Sequence, residues 1–153
     1  MNIYNYFNKP TELDHWHPDD PDNIAFIEYR NEDGKRHRED GPAIIYHDGS
    51  EYWQLNGKKH RENGPAEIWS DGSKLWYKNG KLHREDGPAI IYPNRYKSWY
   101  LNGKKHRENG PAIIYSNGTE EWYNHDELHR EDGPAVKYPD GREVWFLNGK
   151  KIK

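Results

Sequence analysis

Short apolar stretches recur along the chain, separated by polar segments that hold the glycines. Typical stretches are Ala43-Ile44-Ile45-Tyr46 and Glu51-Tyr52-Trp53-Gln54-Leu55, four or five residues long and rich in aromatic or β-branched side chains. Runs of this length bounded by turn residues predict strands. No segment keeps a helical period over eleven residues, so no significant helix is expected. The pattern predicts an all-β chain.

The interval between equivalent stretches is 23 residues. His37, His60, His83, His106 and His129 each open the segment His-Arg-Glu-Asp/Asn-Gly-Pro-Ala. Counting each of these His as position 1, position 17 is always Trp (Trp53, Trp76, Trp99, Trp122, Trp145) and position 10 is always aromatic. A fixed period of this size marks a repeat architecture in which each unit packs on its neighbours. Five full units span 37–59, 60–82, 83–105, 106–128 and 129–151, after a partial unit at 24–36. Residues 1–23 are expected to cap the first edge, with Tyr4, Tyr6, Phe7 and Trp16 available to cover it. Lys150, Lys151 and Lys153 suit the other end, because charge on an edge strand discourages edge-to-edge pairing.

Glycine marks the turns. Outside Gly-Pro-Ala, it follows Asp or Asn at position 13 (Asp48-Gly49, Asp71-Gly72, Asn117-Gly118, Asp140-Gly141) and at position 21 (Asn56-Gly57, Asn79-Gly80, Asn102-Gly103, Asn148-Gly149 and, in the partial unit, Asp33-Gly34). Both dipeptides suit two-residue type I′ hairpins. Each unit then has two strands in an antiparallel meander, with equivalent residues of successive units roughly 10 Å apart at ~4.8 Å per strand.

The segments Leu101-Asn102-Gly103-Lys104-Lys105-His106 and Tyr138-Pro139-Asp140-Gly141 resemble the skeleton of the MORN repeat: a strand, an Asn/Asp-Gly turn, Gly-Lys-x-His and a second strand ending at Asp-Gly. The resemblance covers about residues 24–151. The chain departs from it with His-Arg-Glu-x-Gly-Pro-Ala in place of His-Gly-x-Gly, and with Trp-Tyr/Phe-x in place of Tyr-x-Gly, as a variant branch would. The resemblance implies an elongated, curved β-ribbon acting as a scaffold for partner proteins or anionic membranes. Variant members include bacterial antitoxin-like proteins and viral proteins, so an adaptor, an inhibitor or a viral counter-defence protein is the function it suggests.

Two-residue turns at 12–13 would pair position 8 with 17 and 10 with 15. That register places the Trp at position 17, the residues at 8, 10 and 19, and the His on one face, which is assigned as core. Arg at position 2 and the residue at position 18 fall on the other face. Arg beside exposed rings is the composition of binding hot spots, so Tyr77, Tyr100, Tyr123 and Phe146 with Arg84, Arg107 and Arg130 form the candidate contact surface for a protein partner.

Composition narrows the classes. Leu, Ile, Val and Phe together number only 23 of 153 residues, yet net charge is −3 and aromatics make up 14%. Disordered chains are aromatic-poor and highly charged, so an ordered fold whose apolar area is carried by rings is expected. The absence of Cys removes disulfides, thiolate metal sites and thiol nucleophiles. Near-neutral charge argues against nucleic-acid binding. Residues 1–7 lack a basic segment followed by an apolar one, so cytoplasmic residence is expected. A peripheral anionic-lipid module, using Arg and Lys, is the competing class, and pairing of sheet edges would give a homodimer.

No catalytic residue, metal or cofactor is assigned. His at position 1 is expected to pack on Trp and bond a turn, and Arg–Glu to form a surface ladder of ion pairs. Five His-x-Glu pairs spaced by a whole unit cannot share one metal, since Zn–N bonds are ~2.0–2.1 Å. His15-Trp16-His17-Pro18-Asp19 resembles the His-x-His-x-Asp of metal-dependent hydrolases. A small hydrolase built on His15 and His17 is the third functional class, and a capping loop is the favoured reading of the segment. Two units break the pattern, at Asn94-Arg95 and at His125-Asp126, where the turn glycine is lost.

Overall fold

The computed structural model describes residues 10–11 and 26–153. Each unit builds two hairpins. In the unit 83–105, Ile90–Ile91 and Lys97–Ser98 belong to one long sheet, whereas Tyr100–Leu101 and Lys104–Lys105 form a separate two-stranded hairpin. The long sheet has 12 strands, lying side by side in chain order and antiparallel throughout, from Pro10–Thr11 to Glu143–Val144. Five two-stranded hairpins run alongside it. No helix occurs among the described residues. The architecture is therefore the all-β open meander of hairpins that the repeat predicts.

The Trp at position 17 is the joint between the two layers. Glu51–Tyr52 and Gln54–Leu55 are separate strands with Trp53 between them, not one continuous strand. The backbone N–H of each Trp crosses to the next unit, donating to the Ala carbonyl of Gly-Pro-Ala: Trp53 to Ala66 at 2.7 Å, and Trp76 to Ala89, Trp99 to Ala112 and Trp122 to Ala135 at 2.8 Å. In the fifth unit the Trp145 N–H donates to the carbonyl of Lys153, at 3.1 Å. In the partial unit Tyr29 takes the place of Trp, donating to Ala43 at 2.8 Å. At the first edge, Pro10–Thr11 pairs with Phe26–Tyr29; Tyr4, Tyr6, Phe7, Trp16 and the His15/His17 segment lie outside the described residues.

The turns differ from expectation at one of the two sites. At positions 20–21 of the five full units both residues have positive φ, as in Asn56 (50°) and Gly57 (77°), which is the type I′ hairpin predicted; in the partial unit only Gly34 does, and its N–H donates to Asn31 O at 2.9 Å in a three-residue loop instead. At positions 11–13 only the glycine does, as in Gly49 (85°). There the Gly49 N–H donates to Tyr46 O at 3.0 Å and the Tyr46 N–H to Ser50 O at 2.9 Å, closing a three-residue loop. This is a type I turn followed by a left-handed residue. Asp48 supports it by accepting the Ser50 N–H at 2.8 Å, and the residue at position 12 does the same in all five units. The longer loop moves the register by one residue: Ile44 faces Tyr52 and Ile90 faces Ser98, so position 8 pairs with 16 rather than 17. A one-residue slip exchanges the two faces of a strand, which overturns the assignment of the position-17 Trp and position 8 to a shared side.

The observed register puts positions 8, 10, 14, 16, 18 and 23 together. Ile44, Ile90, Ile113, Val136, Ser73 and Ser98 are buried there, and rings at 10 and 14 touch along the sheet, as in Tyr92–Tyr96 at 5.3 Å and Tyr96–Tyr115 at 5.8 Å. Ala43, Ala66, Ala89, Ala112 and Ala135, beneath the Trp joints, are fully buried. Two buried carboxylates, Glu28 and Glu67, and the half-buried Glu121 lie on this side, each with partners. Glu28 is bound by Arg30 and Arg36, Glu67 by Lys59 and the Trp69 indole, and Glu121 by the hydroxyls of Tyr115 and Tyr123.

Candidate binding face

The other face carries the position-17 Trp, position 19 and the His-Arg-Glu segment. Each Arg at position 2 lies over the Trp ring of the preceding unit: Arg61 over Trp53 at 3.8 Å, Arg84 over Trp76 and Arg107 over Trp99 at 4.0 Å, Arg130 over Trp122 at 4.3 Å. Arg38 covers Tyr29 in the same way at 4.1 Å. On its own side each guanidinium rests against the glycine of Gly-Pro-Ala. A methyl on Gly41 would stand 2.7 Å from Arg38 Cζ, and one on Gly87 3.0 Å from Arg84 Cζ. Nη1 also donates to the carbonyl of the following proline, as Arg84 does to Pro88 at 3.3 Å. The motif Arg-Glu-x-Gly-Pro therefore clamps a cation flat on a ring, a contact worth ~0.5–1 kcal/mol where exposed.

The His at position 1 bonds a turn, as expected. Its Nδ1 accepts the backbone N–H of Asn at position 20, at 3.1 Å in four units: Asn56 to His37, Asn79 to His60, Asn102 to His83 and Asn148 to His129. With Gly57 N–H to Arg36 O at 2.7 Å and its equivalents, this ties each hairpin to the one before it. The ion pairs differ from the predicted Arg–Glu ladder. Arg pairs with Asp at position 4, as in Arg38–Asp40 and Arg84–Asp86 at 2.8 Å, while Glu at position 3 faces the His, as in His60–Glu62 at 3.0 Å. A two-residue offset puts Arg and Asp on one side of the chain, whereas adjacent Arg and Glu diverge. The Arg neighbour holds Asp40, Asp86 and Asp132 below the ordinary carboxyl value.

Successive Arg–Trp ledges enclose four open grooves, of about 340 to 650 Å³, one per unit boundary. The groove between the third and fourth units is lined by Trp99 and Leu101 with Arg84, His106 and Arg107, and that between the first and second by Trp53 and Leu55 in the same places; the other two carry Lys78 or Asn124 where these have Leu.

Of the seven predicted contact residues, the structure brings only part to this face. Arg84, Arg107 and Arg130 line the grooves. Tyr77 and Tyr123 also line two of the grooves, whereas Tyr100 and Phe146 line none of the four; all four rings are half-buried and alternate toward the side of positions 8, 10 and 16. Lys59 sits 4.8 Å above the Tyr77 ring and Lys105 4.7 Å above that of Tyr123, whose hydroxyl donates to Glu121 at 3.1 Å. Burial raises the pKa of Tyr77, Tyr100 and Tyr123, and the nearby Glu121 carboxylate raises Tyr123 further; the same causes push Tyr115 up to about 12. The residues that sequence reasoning assigns to the core, the Trp at position 17 and Leu at position 19, are instead the groove floor.

The irregular fourth unit has a local consequence. His125 and Asp126 adopt φ of 51° and 75° in place of Asn-Gly, and the His125 ring stacks on His106 at 4.2 Å. His106 Nδ1 then lacks the turn N–H that its four counterparts accept, and is buried without a partner. Among the described residues no group of three or more His, Asp or Glu is placed to hold a metal ion, and no helix is long and apolar enough to cross a membrane. No protein-family model matches the chain, and no curated protein matches it.

Proposed function

We propose that the chain is a non-enzymatic scaffold of the MORN-variant type that holds a partner protein along the Arg–Trp face. The observation carrying this reading is the row of four like grooves, each pairing an apolar indole floor with an Arg whose geometry is already set. Trp and Arg are the side chains most enriched at binding hot spots, and a guanidinium clamped on a ring loses little freedom when a partner engages it. The contact surface on this reading is Arg84, Arg107 and Arg130 with Trp76, Trp99 and Trp122.

The test is a pull-down with the tagged wild-type chain beside one carrying Arg84→Ser, Arg107→Ser and Arg130→Ser. One stoichiometric protein captured by the wild type and lost by the variant is the expected result. Capture of nothing, or equal capture by both, would remove the reading. One feature favours a second reading. Lys35, Lys58, Lys81, Lys104 and Lys150 form an exposed row on the hairpin edge, broken by Glu127. A blank pull-down with flotation on phosphatidylserine vesicles, lost at high salt, would move the function to that row.

A further inference from the structure

The 23-residue units alternate in two forms, so the chemical period of the Arg–Trp face is two units. Residues 55–66 and 101–112 are identical, Leu-Asn-Gly-Lys-Lys-His-Arg-Glu-Asn-Gly-Pro-Ala. The equivalent segments 78–89 and 124–135 differ from them: Leu82 and Leu128 close one unit where Lys59 and Lys105 stand, and Asp86 and Asp132 take position 4 of the next where Asn63 and Asn109 stand. The backbone alternates too. Gly64 and Gly110, which follow Asn, have φ of 139° and 137°, whereas Gly41, Gly87 and Gly133, which follow Asp, lie outside the left-handed range.

This alternation decides which arginines have a carboxylate. Nε of Arg38, Arg84 and Arg130 donates to the Asp two residues on, at 2.8, 2.8 and 2.9 Å. Arg61 and Arg107 have Asn63 and Asn109 at that position and no carboxylate partner among the described residues. They are nonetheless clamped like the others, on Trp53 and Trp99 and by the carbonyls of Pro65 at 3.2 Å and Pro111 at 3.1 Å. Burial lowers the pKa of Arg107, a sign that its charge is short of solvent. The position that Asp takes beside the guanidinium in three units thus carries no charge in two, with the guanidinium held ready.

We infer that Arg61 and Arg107 are a matched pair of carboxylate receptors, gripping an extended segment of the partner through two acidic side chains six residues apart. This rests on the scaffold reading and names the chemistry of what the scaffold holds. Two units are four strand spacings, roughly 19 Å, and an extended chain covers that in about six residues at ~3.3 Å each. An even number places both acidic side chains on the same side of the strand. The Asp-bearing units are the internal precedent for a carboxylate beside this arginine. Glu62, beside Arg61, is turned to His60 at 3.0 Å and Lys78 at 3.5 Å, and Glu39, Glu85 and Glu108 stand along the same groove rims. Those rims repel the dense charge of a nucleic-acid backbone or an anionic lipid surface more than two isolated carboxylates, and a carboxylate is what three units already place beside this arginine, which favours an acidic peptide.

The experiment uses the full chain and a fluorescein-labelled Ser/Thr/Val peptide with two Glu six residues apart, read by fluorescence anisotropy. Asn63→Asp and Asn109→Asp restore the internal carboxylate that three units carry naturally, so both variants should fold, as circular dichroism would verify. Each single change is expected to weaken the peptide at least tenfold, and the double change to abolish binding. A peptide with its two Glu five residues apart, on opposite sides, should bind at least tenfold more weakly. Failure of the wild type to bind, binding that survives the double change, or indifference to the spacing would each overturn the inference. If the pull-down partner is captured equally by wild type and the Asn63→Asp/Asn109→Asp chain, the inference falls and the scaffold reading stands. If nothing is captured by any chain, the scaffold reading falls on its own.

Discussion

Gly87→Ala tests whether the glycine of Gly-Pro-Ala is required by the arginine or by the backbone. Its φ lies outside the left-handed range, so alanine meets no backbone strain there. The added methyl would stand 3.0 Å from Arg84 Cζ and 3.2 Å from Nε, so the guanidinium must give by a few tenths of an ångström. Displacing it weakens the contact with Trp76, ~0.5–1 kcal/mol, and the bond to Pro88 O, ~0.5–1.5 kcal/mol, and loosens the solvent-screened pair with Asp86. Partial loss of the ring contact and the carbonyl bond sets the expected cost at about 1 kcal/mol. In an Arg84→Ala background nothing is left to displace, and alanine should become neutral or stabilise by ~0.4–1 kcal/mol through the unfolded chain. Gly110→Ala should stay costly even in Arg107→Ala, because φ there is 137°. Urea unfolding followed by both tryptophan fluorescence and circular dichroism measures the two cycles, with coincident transitions as the check on two-state behaviour. A Gly87→Ala cost that is equal in both backgrounds would refute the clamp.

Two further predictions concern stability. Arg95 holds the left-handed position of its loop at φ 72°, where the other four units have glycine; Arg95→Gly should stabilise by about 1 kcal/mol, the cost of that region for a side chain less the added freedom of the unfolded glycine. A thermal midpoint that rises by ~2–4 °C in circular dichroism would bear this out, and a fall would refute it. Glu28 is 1% exposed, and although burial raises its pKa, hydrogen bonds from Arg36 and Arg30 outweigh it and leave the carboxyl below its ordinary 4.5. A depressed carboxyl stabilises the fold above its unfolded value and loses that contribution as pH falls below about 4.5 toward the folded value. Glu28→Gln should therefore cost about 2 kcal/mol at pH 7, with a difference from wild type that shrinks on acidification; a gap independent of pH would rule this out.

Much of the architecture is legible in the sequence because it is local. The 23-residue period, the all-β class and the Asn-Gly hairpins follow from residue types whose φ preferences need no partner. The His-to-turn bond is legible as well, since the same His recurs beside the same turn. Positions 12–13 are ambiguous because Asp-Gly is compatible both with a two-residue type I′ turn and with a type I turn plus a left-handed glycine. The candidate site inherits that ambiguity: the shorter turn would set Tyr77, Tyr100, Tyr123 and Phe146 beside Arg84, Arg107 and Arg130, whereas the longer one turns these half-buried rings away and leaves only Tyr77 and Tyr123 lining a groove. A sequence signal for the site is present in the Asp/Asn alternation at position 4, which separates the units by the chemistry of their arginines.

The sequence by itself determined that the chain is a repeat of short strands, where its tight turns fall and which residues recur at each boundary. Only the tertiary structure decided which side is inside. That choice hangs on one residue of loop length, because side chains alternate along a strand and a one-residue shift exchanges the two faces. It is stabilised by contacts that no single unit contains, above all the Trp N–H bonded to the alanine carbonyl of the following unit. The indole of each Trp thereby becomes the floor of a groove shared with its neighbour.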